Sequence, residues 1–138
     1  MVSKKGHEFV TFRYLEMHGR MKRAPLRREE LLLIKAFNNI GLVYRRRVVF
    51  INPLYGGYKN LHDAVPQWLD FCIFYGKMYV ILFDLYRGRS GPKKREKDAL
   101  KAKTDYLEQR GIEYLILSRK ETSQIYEFRI KKLIGGRI

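Results

Sequence analysis

The sequence predicts an α/β domain, with helices flanking one mixed central β-sheet in the order α-β-β-β-α-β. Three observations carry this reading. Leu26, Leu33, Ile34, Phe37 and Ile40 recur at spacings near a helical repeat, which marks an amphipathic helix over about 25–40. Runs rich in β-branched and aromatic residues then follow at 42–51, 68–74 and 78–86. A second helical stretch over 94–110 leads into IEYLIL at 112–117, a last strand. Helices interleaved with strands around one sheet make a layered α/β architecture.

Each element has a local reason. Pro25 suits a first helical turn, where its missing N–H would have no intrahelical partner, and Gly41 is a natural stop. Val48, Val49, Phe50 and Ile51 give the first strand its character. Residues 52–66 contain Asn-Pro and Gly-Gly and read as a loop. Tyr75-Gly76-Lys77 is a turn signal, so the strands on either side are expected to be antiparallel neighbours. MYVILFDLY is apolar on both faces, as in a central, covered strand. Residues 87–94, RGRSGPKK, form a loop, and Gly111 ends the second helix. Residues 119–134 fit either a terminal helix or a strand plus helix. Residues 1–24 read as a basic N-terminal arm with a short helix from His7 to His18, and 25–138 as the α/β domain proper.

The chain has 138 residues, enough for one domain with a real core. A single cysteine, Cys72, excludes a disulfide scaffold, and its strand context favours packing over nucleophilic chemistry. No run approaches the roughly 18 apolar residues of a membrane span. The opening MVSKKGHEF lacks the apolar run of a signal peptide, so a reducing, cytoplasmic location is the expectation. Lys and Arg total 29 against 14 Asp and Glu, a formal charge of +15. Such an excess on a small body attracts polyanions, nucleic acid foremost. Thermal hardening usually raises Glu along with Lys, and here Glu does not keep pace.

Asp70 and Asp84 stand out because each falls within an apolar strand run. A carboxylate there is costly unless it is paired, hydrogen-bonded or bound to a cation. If the 75–77 turn makes the strands antiparallel, the two can lie side by side and recruit a hard divalent cation. An ion held by two carboxylates can activate water against a phosphodiester. The competing reading pairs each acid with one of the many Arg or Lys side chains.

In order, REELLLIKAFNNIGLVYRRRVVF, WLDFCIFYGKMYVILFDLYRG and KAKTDYLEQRGIEYLIL resemble the PD-(D/E)XK nuclease superfamily. Within it, the chain is most similar to small domains of the very-short-patch-repair endonuclease type. The resemblance spans about residues 25–118 and includes the Leu-xxx-Gly spacing of Leu107 and Gly111. It implies a restriction-endonuclease-like core and a Mg²⁺ (or Mn²⁺) cofactor. It also implies Asp70 and Asp84 as metal ligands, with the Leu85 carbonyl as main-chain ligand. Glu30 becomes the helix carboxylate that assists the ion or its water. Glu29 is its rival by one residue, and helix phase favours Glu30, which shares a face with Leu33, Ile34 and Phe37. The competing reading for either Glu is a first-turn acid that complements the helix dipole.

The chain departs from the motif at two positions: Leu69 precedes Asp70 where the motif has Pro, and Tyr86 stands where the motif has Lys and carries no positive charge near neutral pH. Lys103 lies on the inward stripe of the second helix with Leu100 and Leu107, and it is the candidate for a migrated cation that stabilises charge on the attacked phosphate. Its competing reading is a snorkelling side chain at the helix flank.

The basic clusters fall in two places. Arg45, Arg46 and Arg47 open the first strand, where alternation would send Arg46 to one face and its neighbours to the other. Arg87, Arg89, Lys93, Lys94, Arg95 and Lys97 follow the acid pair and could grip nucleic-acid phosphates without reading bases. Tyr55 and Tyr58 could stack on splayed bases or simply anchor their loop. His62 and Asp63 could approach the site, but the histidines show no zinc-ligand spacing. The expectation is therefore a metal-dependent DNA endonuclease, with DNA and a homodimer mate as partners and a viral or mobile-element origin. The rival expectations are an inactive DNA-binding protein on the nuclease fold, or a basic RNA-binding domain.

Overall fold

Helix α1 (Arg28–Ile40) begins where Arg27, still extended at φ −84° and ψ 163°, acts as N-cap. The Arg27 N–H donates to the Glu30 carboxylate at 3.1 Å, so one of the helix's orphan donors is satisfied by a side chain a turn ahead. Pro25 therefore precedes the helix instead of opening it. The other end closes at Gly41, whose φ of 85° is left-handed, and the N–H groups of Gly41 and Leu42 both return to the Phe37 carbonyl. The computed structural model describes residues 25–55, 66–84 and 94–135. The arm expected over 1–24 and its helix lie outside the described residues, as do Tyr58, His62, Asp63, Leu85, Tyr86, Arg87, Arg89 and Lys93.

Three strands run antiparallel: β1 (Val43–Phe50), β2 (Gln67–Tyr75) and β3 (Lys77–Phe83). Tyr75 pairs directly with Lys77, leaving Gly76 alone in the turn at φ 76°. Helix α2 (Lys94–Gln109) then crosses over, and β4 (Tyr114–Leu117) pairs parallel with β3. The sheet is mixed, in the order β1-β2-β3-β4. Its last strand starts two residues later than expected because Ile112 is still tied to the helix end, its N–H reaching the Leu107 carbonyl at 2.9 Å. Helix α3 (Ser123–Leu133) resolves the ambiguous tail as a helix, capped by the Thr122 hydroxyl accepting from the Ile125 N–H. Among the described residues no helix is long and apolar enough to cross a membrane.

Two cores sandwich the sheet. On one face, Leu33 and Phe37 of α1 meet Phe71, Ile73, Ile81, Phe83, Tyr126 and Ile130. On the other, Tyr106 and Leu107 of α2 meet Phe50, Leu69, Cys72, Val80 and Leu82. β3 feeds both cores by strict alternation, which explains its unbroken apolar run. β1 and β2 do not alternate throughout. Tyr44 packs with the α1 face while Val48 and Phe50 pack with the α2 face, although all three have the same parity. Likewise Leu69 lies on the α2 face, and Phe71 and Ile73 on the α1 face. Both strands thus exchange faces at the same level, where Arg47 and Asp70 stand opposite each other. These two are missing from a ladder otherwise continuous from Val43↔Phe74 to Phe50↔Gln67. Arg47 takes a left-handed φ of 52°, the one non-glycine among the described residues to do so.

Candidate active site

The break in the sheet opens a cavity. β2 pairs with β3 from Tyr75 back to Phe71, and the ladder stops there. One residue further along β2, Asp70 turns its carboxylate to the Phe83 N–H, which donates to Oδ2 at 3.1 Å. The cavity beside it encloses about 60 Å³ and is lined by Glu29, Glu30, Arg47, Trp68, Asp70, Lys103 and Arg119, with Arg27 at its exposed rim. At roughly 10–15 Å³ for one water on this measure, it holds a few waters or one small ion or oxyanion.

Each charged side chain here has a distinct local cause. Glu30 is buried, and it accepts from Arg46 Nε at 2.7 Å and from a terminal guanidinium nitrogen at 3.3 Å. Burial would raise its proton affinity, but the Arg46 guanidinium and the Arg27 N–H outweigh this and hold its pKa below the ordinary value. Arg46, expected on a nucleic-acid-facing surface, is bonded to Glu30. Glu30, expected to assist a metal, lines the cavity with its carboxylate bonded to Arg46 and to its own helix terminus. Arg46 reaches Glu30 of α1, while Arg47, with its left-handed backbone, lies over Trp68 as does Lys103 of α2.

Asp70 and Lys103 are different. Burial pushes the Asp70 carboxyl up, against the pull of Lys103, the Phe83 N–H and Arg119. Burial and the neighbouring Arg47 charge push Lys103 down, against the pull of Asp70. Among the described residues no side chain donates to Asp70. Lys103 Nζ lies 5.3 Å from the centre of the Trp68 ring, and Arg47 Cζ lies 5.2 Å from the same ring. Two half-buried groups of opposite sign, each pushed toward its neutral form, thus line one cavity, which makes it the candidate site. The inward stripe of α2 that the sequence shows brings Lys103 to the cavity that Asp70 also lines.

Four residues here escape the sequence reading. Gln67 donates to the Ala99 carbonyl at 3.1 Å and accepts from Asn52 at 2.9 Å. This buried pair pins α2 to the sheet one turn before Lys103. Trp68 supplies the ring under both cations. Arg119, just past β4, lies 3.8 Å from Glu29. Its signal was available, because residues following the carboxyl ends of parallel strands commonly line ligand sites.

Asp84 follows β3 and is exposed. Its N–H donates to the Leu117 carbonyl at 2.7 Å, and its side chain lines a second cavity with Ser118, Arg119 and Lys120. Asp70 lines the first cavity and Asp84 the second, and Arg119 lines both. Among the described residues no three acidic, histidine or cysteine side chains converge as a metal site. Arg45, Lys94, Arg95 and Lys97 are exposed, the last three in the first turn of α2. Cys72 is buried in β2 with its thiol pushed up to about 12, which makes it inert packing.

No family model matches the chain, and no characterised protein or solved structure matches it either.

Proposed function

We propose that the chain is a metal-dependent DNA endonuclease on a restriction-endonuclease-like core. The observation that supports this best is the cavity at the sheet break, where Asp70 and Lys103 face each other without being consumed by other side chains. The order of elements agrees with the PD-(D/E)XK resemblance, as does the placement of an acid where β2 leaves β3. The +15 charge and the exposed cations of Arg45, Lys94, Arg95 and Lys97 suit a polyanionic substrate.

The donor set suits a hard ion. Asp70 offers an oxygen that no described side chain engages, and a carboxylate destabilised by burial gains most from a cation. Asp84 and the Leu85 carbonyl would complete the protein's share. Mg²⁺ takes one or two carboxylates and keeps water for the rest, and when bound it supplies an activated water and charge neutralisation at phosphorus. Lys103, held on Trp68, places positive charge where negative charge builds on the phosphate, which is the task of the motif Lys that Tyr86 replaces. Glu30 acts at one remove by locking Arg46 and, with it, the strand segment that presents Arg47.

A plasmid-nicking assay with and without Mg²⁺ tests the proposal. The wild type nicks only with the ion, and Asp70→Asn loses about 10²–10³-fold or more. DNA binding without any cutting of duplex, mismatched, branched or single-stranded substrates would contradict it and favour the inactive DNA-binding alternative. A preference for structured RNA over DNA would favour an RNA-binding domain.

A further inference from the structure

The charges around the cavity do not balance. Glu30 is taken by Arg46, which leaves two carboxylates, Glu29 and Asp70, facing four cations: Arg27, Arg47, Lys103 and Arg119. The cations are also short of acceptors. Among the described residues the Nε groups of Arg47 and Arg119 are buried without a hydrogen-bond partner, and Arg119 Nε lies 3.8 Å from the Glu29 carboxylate. Lys103 and Arg47 both lie against the Trp68 ring, at 5.3 and 5.2 Å from its centre, a placement in which the Arg47 charge acts on Lys103. Buried donors left open cost stability, so a site that retains them is built for a ligand that accepts from them.

We infer that Arg47, Lys103 and Arg119, arranged around Trp68, form a phosphate site that fills without a metal ion. The three cations reach the cavity from β1, from α2 and from the exit of β4, so they approach one oxyanion from separate directions. A guanidinium fork matches a phosphate's oxygens, and the ammonium adds a point charge. The cavity has room for one tetrahedral group. The like-charge push of Arg47 on Lys103 is relieved once an anion lies between them. The phosphate's source is the nucleic-acid backbone, so the inference rests on the proposed nuclease reading and adds to it. The backbone is gripped first by protein cations, at residues outside the acid pair.

The chain's only tryptophan is Trp68, so its emission reports on this cavity alone. The experiment titrates the full-length protein with inorganic phosphate in EDTA, following Trp68 emission, and then repeats the titration against a bound DNA oligonucleotide. The site predicts a saturable change at millimolar phosphate and displacement of the oligonucleotide. It also predicts at least about tenfold weaker phosphate binding in both Arg47→Asn and Arg119→Gln. Asn tolerates the left-handed backbone at position 47, and circular dichroism checks that both variants are folded. If Arg47→Asn fails to fold, Arg119→Gln carries the test. An emission that does not respond, a response equal in wild type and variants, or phosphate that leaves the oligonucleotide bound would each overturn the inference. Phosphate binding that follows these predictions in a protein that never nicks DNA would uphold the site and remove only the nuclease reading.

Discussion

The sheet has two unlike ends. Around the Tyr75-Gly76-Lys77 turn the β2–β3 ladder is continuous and alternation is strict, and there Ile73, Tyr79 and Ile81 lie buried in the α1-side core. At the opposite end β1 and β2 exchange faces at Arg47 and Asp70, β2 leaves β3, and charged groups are enclosed with their hydrogen bonds incomplete. The first end obeys every rule of a stable sheet. The second breaks the same rules at two facing residues, and it is where the cavity opens. Strain and unsatisfied charge persist only where surrounding structure holds them, and they gather where a protein acts on something. The regular packing and the proposed site therefore fall at different ends of the same three strands.

The largest effect that should separate the two ends is a trade of activity against stability at Asp70. Because its pKa is raised, this carboxyl favours folding when protonated. That contribution is present below the ordinary carboxylate range and is lost as pH rises through the raised value. Asp70→Asn should therefore abolish nicking while melting at the same temperature as the wild type or higher near neutral pH. The Phe83 N–H keeps an acceptor in the Asn side-chain oxygen. A structural ion pair would give the reverse, a lower melting temperature with activity retained.

Lys103→Met should follow with the same pattern, losing about 10²-fold in nicking without loss of thermal stability. Burial depresses the Lys103 pKa, so its contribution to folding is present only above the ordinary Lys range and falls away as pH drops through the depressed value. An ammonium near neutral pH is thus a burden that the neutral Met removes. Lys103→Arg keeps the charge, and it should restore part of the activity if charge at the phosphate is what matters.

Glu30→Gln belongs to the stabilising part of the design and should do the opposite. It should cost about 1.5–3 kcal/mol of stability by weakening the bonds to Arg46, as measured by denaturant unfolding. The lowered Glu30 pKa sets the sign with pH: its contribution is present above the ordinary Glu range and is lost as pH falls through the lowered value. The destabilisation caused by Glu30→Gln should therefore shrink in acid.

The smallest effect is expected at Tyr126, which packs beside the cavity without lining it. The Tyr126 hydroxyl donates to the Ser118 carbonyl at 2.7 Å, and its pKa is pushed up to about 12 by burial. Tyr126→Phe should cost only about 1 kcal/mol in unfolding experiments and leave nicking unchanged.

The same contrast explains what could be read from the sequence. The elements of the regular end were legible because their periods are clean: Leu33, Ile34 and Phe37 at helical spacing, and β3 apolar throughout as a strand covered on both faces. Lys103 was legible for the same reason, as a lone cation on an apolar stripe. The exchange of faces at Arg47 and Asp70 was not legible, since it depends on two residues meeting across strands separated by a long connection. A period-two reading carries no sign of it. The commitment of Glu30 to Arg46 was hidden likewise, because an acid in a first helical turn looks the same whether it faces solvent, an ion or a guanidinium. Asn52 and Gln67 resemble loop polar residues until the fold brings them under Ala99.

The most direct test of the reactive centre is a Mn²⁺ soak of crystals grown with a DNA oligonucleotide, read by anomalous difference density. The account predicts a peak within coordinating distance of an Asp70 oxygen in the wild type that is lost in Asp70→Asn. Density confined to the surface, with the Lys103 ammonium closed onto Asp70 and no ion at saturating Mn²⁺, would contradict it.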